Sequence, residues 1–587
     1  MLRAMRIALA TPLAAAALAA VALGGCGSSP SGTSVSPATV TPAAAPLYVE
    51  AVVKPEGTLK SDTTADASTL TGRQHPFEGL LKLLAGPTGK TPNYAKEVEP
   101  WLGSRAGAFI SAVSLAQAQG LLGEETLTKA LSEGLSGLEA ALLGEHGLQA
   151  LLGSGSAQGA LVLDTSDVDK AKEFLEGQAH SAGAHTTSYR GITYQVSPSG
   201  VAEGIVHKFA VIGSEAGMKR VIETATGGAA LAHASSYAKL TSTAEADALA
   251  NAYLSPEQLA HATGSAASSG GNSGAGAESI LPLLEGVLGN PGQLYLSVIP
   301  GAHQLALNLD TLPSSAAGVS GGSSAGGALS EGGAQVVSGL PGSSWLALGI
   351  GDLGATFGHG AQGLGAIGGL SSALDIGGID FGKLLAPLSS HSLNLQHDLL
   401  SWAGATGVYA SGSSVLQLQA ALVISSKNPA ASRAAVGQFA QAYREAGGQT
   451  SPTSVPGTET AVTVKLPSFP LELTVAVGQG KFVAGLGSTS IKEALNPQTT
   501  LGASPTYTGA ESTLGHGIKP SAIIEFHTIS GLLESLGLNQ APGFSGFASA
   551  IAPLGTVTAG GGAALAEGVK RSRVVIQLQA SGGEASG

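Results

Sequence analysis

Apolar and polar positions along this chain fall into short strand-like runs and helical faces, and the same succession runs through twice. Leu47-Tyr48-Val49-Glu50-Ala51-Val52-Val53 opens the first pass, and Trp345-Leu346-Ala347-Leu348-Gly349-Ile350 opens the second. Each pass continues through a Trp-x-Gly turn into a strand, at Trp101-Leu102-Gly103 and at Trp402-Ala403-Gly404. Next, Ala160-Leu161-Val162-Leu163 leads to a helix capped at Asp167, and Ala421-Leu422-Val423-Ile424 leads to one capped at Asn428 with Pro429 at its first position. Phe209 pairs with Phe482, Ser214 with Ser488 and Tyr237 with Tyr507 in this comparison. Each pass ends in a hairpin whose last strand alternates, Leu305-Ala306-Leu307-Asn308-Leu309 and Val574-Val575-Ile576-Gln577-Leu578, the pattern of a half-buried antiparallel strand.

These patterns predict an α+β protein of two tandem, internally duplicated domains, each a mainly antiparallel sheet with helices packed on one face. The boundaries expected are residues 47–312 and 341–580, with a low-complexity insert at 263–277, a Gly/Ser/Ala-rich linker at 313–340 and a disordered tail at 581–587. The passes differ most between Trp101 and Gln158. There Leu127, Leu131, Leu135, Leu138 and Leu142 trace one face of a helix, which either packs on the sheet or covers a ligand or lipid.

The N-terminus changes the picture. Arg3 and Arg6 precede an uncharged apolar run from Ile7 to Leu23, followed by Leu23-Gly24-Gly25-Cys26. This is the order of a signal peptide, residues 1–25, and its last tetrapeptide resembles a lipobox, which implies a diacylglycerol on Cys26 and cleavage before it. Residues 26–46 then read as the lipidated cysteine and a flexible Ser/Thr/Pro/Ala tether. Cys26 is the only cysteine among 587 residues, so once it is acylated no disulfide, cysteine zinc site or thiol nucleophile remains. The net charge of −12 becomes −14 when Arg3 and Arg6 leave with the signal, which argues against nucleic acid as a partner and against electrostatic docking on anionic lipid. No later run reads as a spanning helix. Ala548 to Ala566 is interrupted by Pro553 and by Gly560 to Gly562 and reads as a loop between core elements.

Several segments together resemble a known group. They are the lipobox, Trp101-Leu102-Gly103-Ser104-Arg105-Ala106-Gly107-Ala108-Phe109, Ala160-Leu161-Val162 running into Asp167-Val168-Asp169-Lys170-Ala171, Phe209-Ala210-Val211-Ile212-Gly213-Ser214, and Leu231 to Tyr237. They are similar to the bacterial envelope family called domain of unknown function 3352. The resemblance covers most of the mature chain, rests on short apolar motifs, and carries no activity and no catalytic residue with it.

Fragments that imitate catalytic motifs fail on context. Gly86-Pro87-Thr88-Gly89-Lys90-Thr91 lacks the first glycine of a P-loop, with Leu84 in its place. Two Gly-x-Ser-x-Gly matches, around Ser320 and Ser324, lie in the glycine-rich linker instead of between a strand and a helix. Ser236-Tyr237-Ala238-Lys239 has the spacing of a lysine-activated serine, but its counterpart at Thr506-Tyr507-Thr508 has no lysine. His180 and His185, and His391 and His397, lack carboxylates at ligand spacing, and Asp164, Asp167 and Asp169 suit the start of a helix better than a calcium loop. The expectation is a membrane-anchored, non-enzymatic envelope lipoprotein on the extracytoplasmic side, acting by binding or scaffolding. It needs no cofactor or metal, binds no nucleotide, and has an envelope protein or hydrophobic ligand as partner. A carrier of lipid or another hydrophobic ligand, and a hydrolase with an unrecognised site, are the alternatives.

Overall fold

The structure is a computed structural model that describes residues 35–71, 92–112, 158–259, 291–313, 329–357, 375–376, 379–380, 399–465, 472–535, 548 and 551–579. Twenty strands join in one antiparallel sheet. Those of the first pass are β1 (Leu47–Val52), β2 (Leu102–Ala112), β3 (Gln158–Thr165), β4 (His185–Tyr189), β5 (Ile192–Val196), β6 (Val201–Val206), β7 (Phe209–Ser214), β8 (Ala250–Leu254), β9 (Pro291–Gly301) and β10 (Gln304–Pro313). Those of the second are β11 (Ser344–Ile350), β12 (Ala403–Ser411), β13 (Gln419–Ser426), β14 (Gln449–Pro452), β15 (Thr460–Lys465), β16 (Leu473–Gly478), β17 (Lys481–Leu486), β18 (Lys519–Glu525), β19 (Leu554–Ala564) and β20 (Lys570–Leu578). A separate two-stranded ladder pairs Asp375–Ile376 with Ile379–Asp380.

From one edge to the middle the order is β4-β5-β6-β7-β3-β2-β1-β8-β9-β10. From the middle to the other edge it is β20-β19-β18-β11-β12-β13-β17-β16-β15-β14, the same succession strand for strand. The last strands of the two passes, β10 and β20, pair with each other and close the seam, with Leu307 opposite Val574 and Asn308 opposite Arg573.

Local chemistry explains the repeated elements. Asp167 caps α2 (Val168–Ser181) through the Lys170 amide, and Asn428 caps α7 (Pro429–Glu445) through the Ala431 amide, with nearly equal backbone angles. Isolated bridges join Pro42 to Ala230 and Pro341 to Thr500. The Leu231 amide donates to Thr41 O at 2.8 Å, and the Leu501 amide donates to Leu340 O at 2.7 Å.

Both faces of the sheet are covered. One carries α3 (Glu215–Ala225), α4 (Ser235–Ser242), α5 (Glu331–Ser338), α8 (Gly487–Leu495) and α9 (Pro505–Leu514). The other carries α1 (Gly57–Thr71), α2, α6 (Leu353–Phe357), α7 and α10 (Phe526–Ser535). Trp101 and Trp402 are buried on this second face. Trp101 lies 5.3 Å from Phe174 of α2 and donates to Glu97 O at 2.7 Å, while Trp402 lies 5.3 Å from Phe482. The expectation of helices on one face of each sheet is therefore corrected. The apolar content of alternate positions hid a second covered face, because the outward set is rich in Ala, Tyr and Ser as well as in Val and Phe.

Four further readings differ from the structure. Residues 35–46, expected as tether, form a 3-10 helix at Pro37–Thr39 and bury Ala38, Val40, Thr41 and Ala45, because the apolar ones pack in one cluster with Tyr48 and Leu231. Helix α5 lies inside the expected linker and buries Ala334 and Val337 on the face of β11 and β18. The stretch read as a loop contains strand β19, whose glycines are demanded by close backbone approach: a Cβ on Gly560 would lie 2.1 Å from Lys519 O, and one on Gly561 2.2 Å from Leu329 O. Finally, Phe209 pairs with Asp164 whereas Lys481 pairs with Ser425, so Lys481 holds the place of Phe209 and Phe482 faces the opposite side. Ser214 likewise matches Leu486, not Ser488, as the residue preceding its helix. A one-residue slip in a strand exchanges its faces.

Candidate functional site at the seam

The alternation of β10 places Leu305, Leu307 and Leu309 on one face and Ala306, Asn308 and Asp310 on the other. Neighbouring strands continue the second set in register. Glu50, Asn251, Ser297, Asn308 and Arg573 stand side by side on β1, β8, β9, β10 and β20. Two residues along, Tyr48, Tyr253, Tyr295, Asp310 and Arg571 form a second row on the same face. Each row crosses roughly 19 Å of sheet. Tyr237 of α4 sits above the second row, with its ring edge-on to Tyr48, Tyr253 and Tyr295 at 6.0, 5.4 and 6.0 Å.

Two ion networks anchor the rows. At the seam the Arg571 guanidinium donates to both carboxylate oxygens of Asp310 at 2.7 Å, to Thr243 O at 2.7 Å and to Glu245 Oε1 at 3.0 Å. Asn308 Nδ2 donates to the same Glu245 oxygen at 2.8 Å, and Arg573 Nη1 reaches it at 3.5 Å. Glu245 and Thr243 belong to the connection after α4, so this network ties the first half to a strand of the second. At the outer end Glu50 accepts from Ser36 Oγ and Tyr48 Oη at 2.5 Å and from Arg105 Nη1 at 2.6 Å.

The electrostatics suit recognition better than proton transfer. Burial, then the Glu50 charge, pushes the Tyr48 phenol well up; burial likewise pushes Tyr237 and Tyr295 well up and raises Tyr253. Such phenols stay protonated and act as donors. Burial works against the Arg571 charge, yet the hydrogen bonds and charge of Asp310 hold its pKa above the usual value.

Several buried atoms of the site have no protein partner: Asn251 Oδ1, Ser297 Oγ, Asn308 Oδ1 and Arg573 Nε, all in the first row. Native interiors rarely leave such atoms unpaired. The matching strands of the second half carry different side chains at the outer end of the two rows. There Ala347 stands between Tyr409 and Ile523, as Tyr48 stands between Phe109 and Tyr253, and Gly349 takes the place of Glu50.

None of these residues except Tyr237 was singled out from the sequence as a site candidate. The alternation in Leu307-Asn308-Leu309-Asp310 and Arg571-Ser572-Arg573-Val574 was the available signal, and it reads equally well as a solvent-facing edge. Among the motifs weighed above, Ser236 Oγ lies 3.3 Å from Tyr253 Oη while Lys239 is exposed, so the two do not meet as a nucleophile and base. His180 and His185 are both exposed. Asp164 pairs with Lys208 at 3.0 Å, and Asp167 is the α2 cap. Cys26 with the signal segment, the Leu127–Leu142 face, Gly86 to Thr91, Ser320, Ser324, His391, His397, residues 263–277 and the tail lie outside the described residues. Among the described residues, no group of three or more His, Cys, Asp or Glu is placed to hold a metal ion, and no helix is long and apolar enough to cross a membrane.

Comparison with solved structures finds two crystal forms of the protein TP0453. Form I matches at 11% identity over 48% of this chain and 81% of that one, with a TM-score of 0.23. Form III matches at 11% identity over 49% and 82%, also at 0.23. None of the curated proteins matches the sequence. The family model described as "Protein of unknown function (DUF3352)" matches residues 7–517, and the chain belongs to that family.

Proposed function

We propose that this protein is a non-enzymatic binding or scaffolding lipoprotein of the cell envelope, built from a duplicated unit and held at the extracytoplasmic face of the membrane by acyl chains on Cys26. The observation that carries the binding role is the polar row at the seam. Its side chains present fixed donors and acceptors with protonated phenols alongside, and strands of both halves contribute to it where they meet. The identical strand order on the two sides of the seam supports duplication.

Anchoring rests on the signal-like N-terminus and on the single cysteine. Ser36 is fixed to Glu50, so residues 27–35, at most roughly 32 Å when fully extended, would separate lipid from body. Cys26→Ser should abolish labelling by radioactive palmitate and shift the protein from the membrane to the soluble fraction. Membrane association of the variant that persists in high salt would refute the anchor.

A second reading, binding of a hydrophobic ligand, has its own support. One aliphatic cluster on the face of α1 and α2 crosses the seam, joining Leu296, Val298, Leu307 and Leu309 to Val557 and Val574. Native mass spectrometry of protein purified without detergent tests it, and a ligand-free mass would dismiss it.

A further inference from the structure

The unpaired atoms of the first row define a ligand chemistry. Asn251 Oδ1, Ser297 Oγ and Asn308 Oδ1 stand on three adjacent strands, and Arg573 Nε stands on the fourth. Ser297 and Asn308 are 1% and 0% exposed. The orientation of the Asn308 amide is settled by its neighbour. Its NH2 group must face the Glu245 carboxylate, because the opposite flip would set two acceptors against each other, so its carbonyl oxygen is the unpaired atom. A ligand here must donate to the two amide oxygens and accept from a guanidinium N–H.

The charges around the row narrow the class further. Arg573 and Arg571 oppose a bound cation, while Glu245, Asp310 and the two amide oxygens oppose a bound anion. A neutral hydroxyl group donates and accepts at once and satisfies both sets. Glu245 and Arg573 keep 30% and 20% of their side-chain surface exposed, in contrast to the closed Asp310, so the row is nearest to solvent there.

We propose that Asn251, Ser297, Asn308 and Arg573 form a buried site for a small neutral hydroxyl-bearing ligand, either a polyol or a file of ordered water molecules. This deepens the binding role proposed above and is independent of the lipid anchor.

The test uses the full chain purified without polyols. A crystal structure at a resolution that shows ordered water should reveal density within hydrogen-bonding distance of Asn251 Oδ1, Asn308 Oδ1 and Arg573 Nε. Saturation-transfer NMR with glycerol and with sorbitol then separates the sources. A polyol signal in the wild type that falls at least tenfold in Asn308→Leu, with an unchanged far-ultraviolet spectrum, assigns a polyol. Ordered water at all three atoms with no polyol signal assigns solvent. Ser297→Ala, which removes one hydroxyl and little volume, repeats the comparison where Asn308→Leu does not fold. Side chains found paired with one another, or a dry row, would overturn the site whatever the outcome for Cys26.

Discussion

The seam network makes a quantitative prediction, because its two central partners are unequal in what they leave behind. The Asp310 side chain is fully buried and that of Arg571 is 10% exposed. Removing one member of a buried ion pair costs about 3–5 kcal/mol, since the other charge is stranded, whereas replacing both by apolar groups of similar volume is close to neutral. In Asp310→Ala, Arg571 keeps Glu245 at 3.0 Å and Thr243 O at 2.7 Å, so the loss should sit near the lower end, about 3 kcal/mol. In Arg571→Met, Asp310 keeps only a 3.4 Å contact from Thr243 Oγ1 among its described side-chain partners, so the loss should approach 5 kcal/mol, over three orders of magnitude in the folding equilibrium. The double variant Asp310→Leu/Arg571→Met should return to within about 1 kcal/mol of the wild type. Urea unfolding followed by tryptophan fluorescence reads both halves, because Trp101 lies in the first and Trp345 and Trp402 in the second. Losses below about 1 kcal/mol in both single variants, or a double variant as unstable as the sum of the singles, would refute the account of the seam.

Three other perturbations test separate parts of the structure. Trp101→Ala and Trp402→Ala should each cost about 3–5 kcal/mol in chemical denaturation, as expected for a buried ring packed against a second aromatic ring, and a loss below 1 kcal/mol would show the rings to be dispensable. Glu203, buried on β6, has its carboxyl pushed up to about 7 by burial alone. Its folded pKa lies above its unfolded one, so stability should be full below about pH 4.5 and fall as pH rises to about 7. The total loss is on the order of 3 kcal/mol, and Glu203→Gln should flatten that slope; an equally steep slope in the variant would dismiss the assignment. Gly107→Ala would put a Cβ 2.7 Å from Pro37 and 2.9 Å from Tyr48 Oη, so residues 35–41 should lift from the sheet and become sensitive to limited proteolysis, while an unchanged digestion pattern would count against their packing role.

Much of the architecture is legible in the sequence because it is written in local terms. The caps Asp167 and Asn428, the strands before them and the closing hairpins each depend on residues a few positions apart, and the backbone rules they obey act at that range. The buried tryptophans follow the same logic, being large apolar groups at the entry of a strand. Tertiary structure alone decided what lies across the sheet. Whether the Asn308 and Asp310 face meets water or a helix depends on α4 and the segment carrying Glu245, which reach it from more than sixty residues away. The pairing of Asp310 with Arg571 spans 261 positions, and no periodicity records which two strand ends will meet. The fate of residues 35–46 and 331–338 shows the same limit. Their Ala, Ser and Pro content looks like tether and linker, and they become core only because the sheet supplies an apolar surface for them to cover. The succession of elements along the chain, the caps and the hairpins are short-range and were written into the chain. The polar row at the seam is a juxtaposition of five strands, and it exists only once they are paired in register.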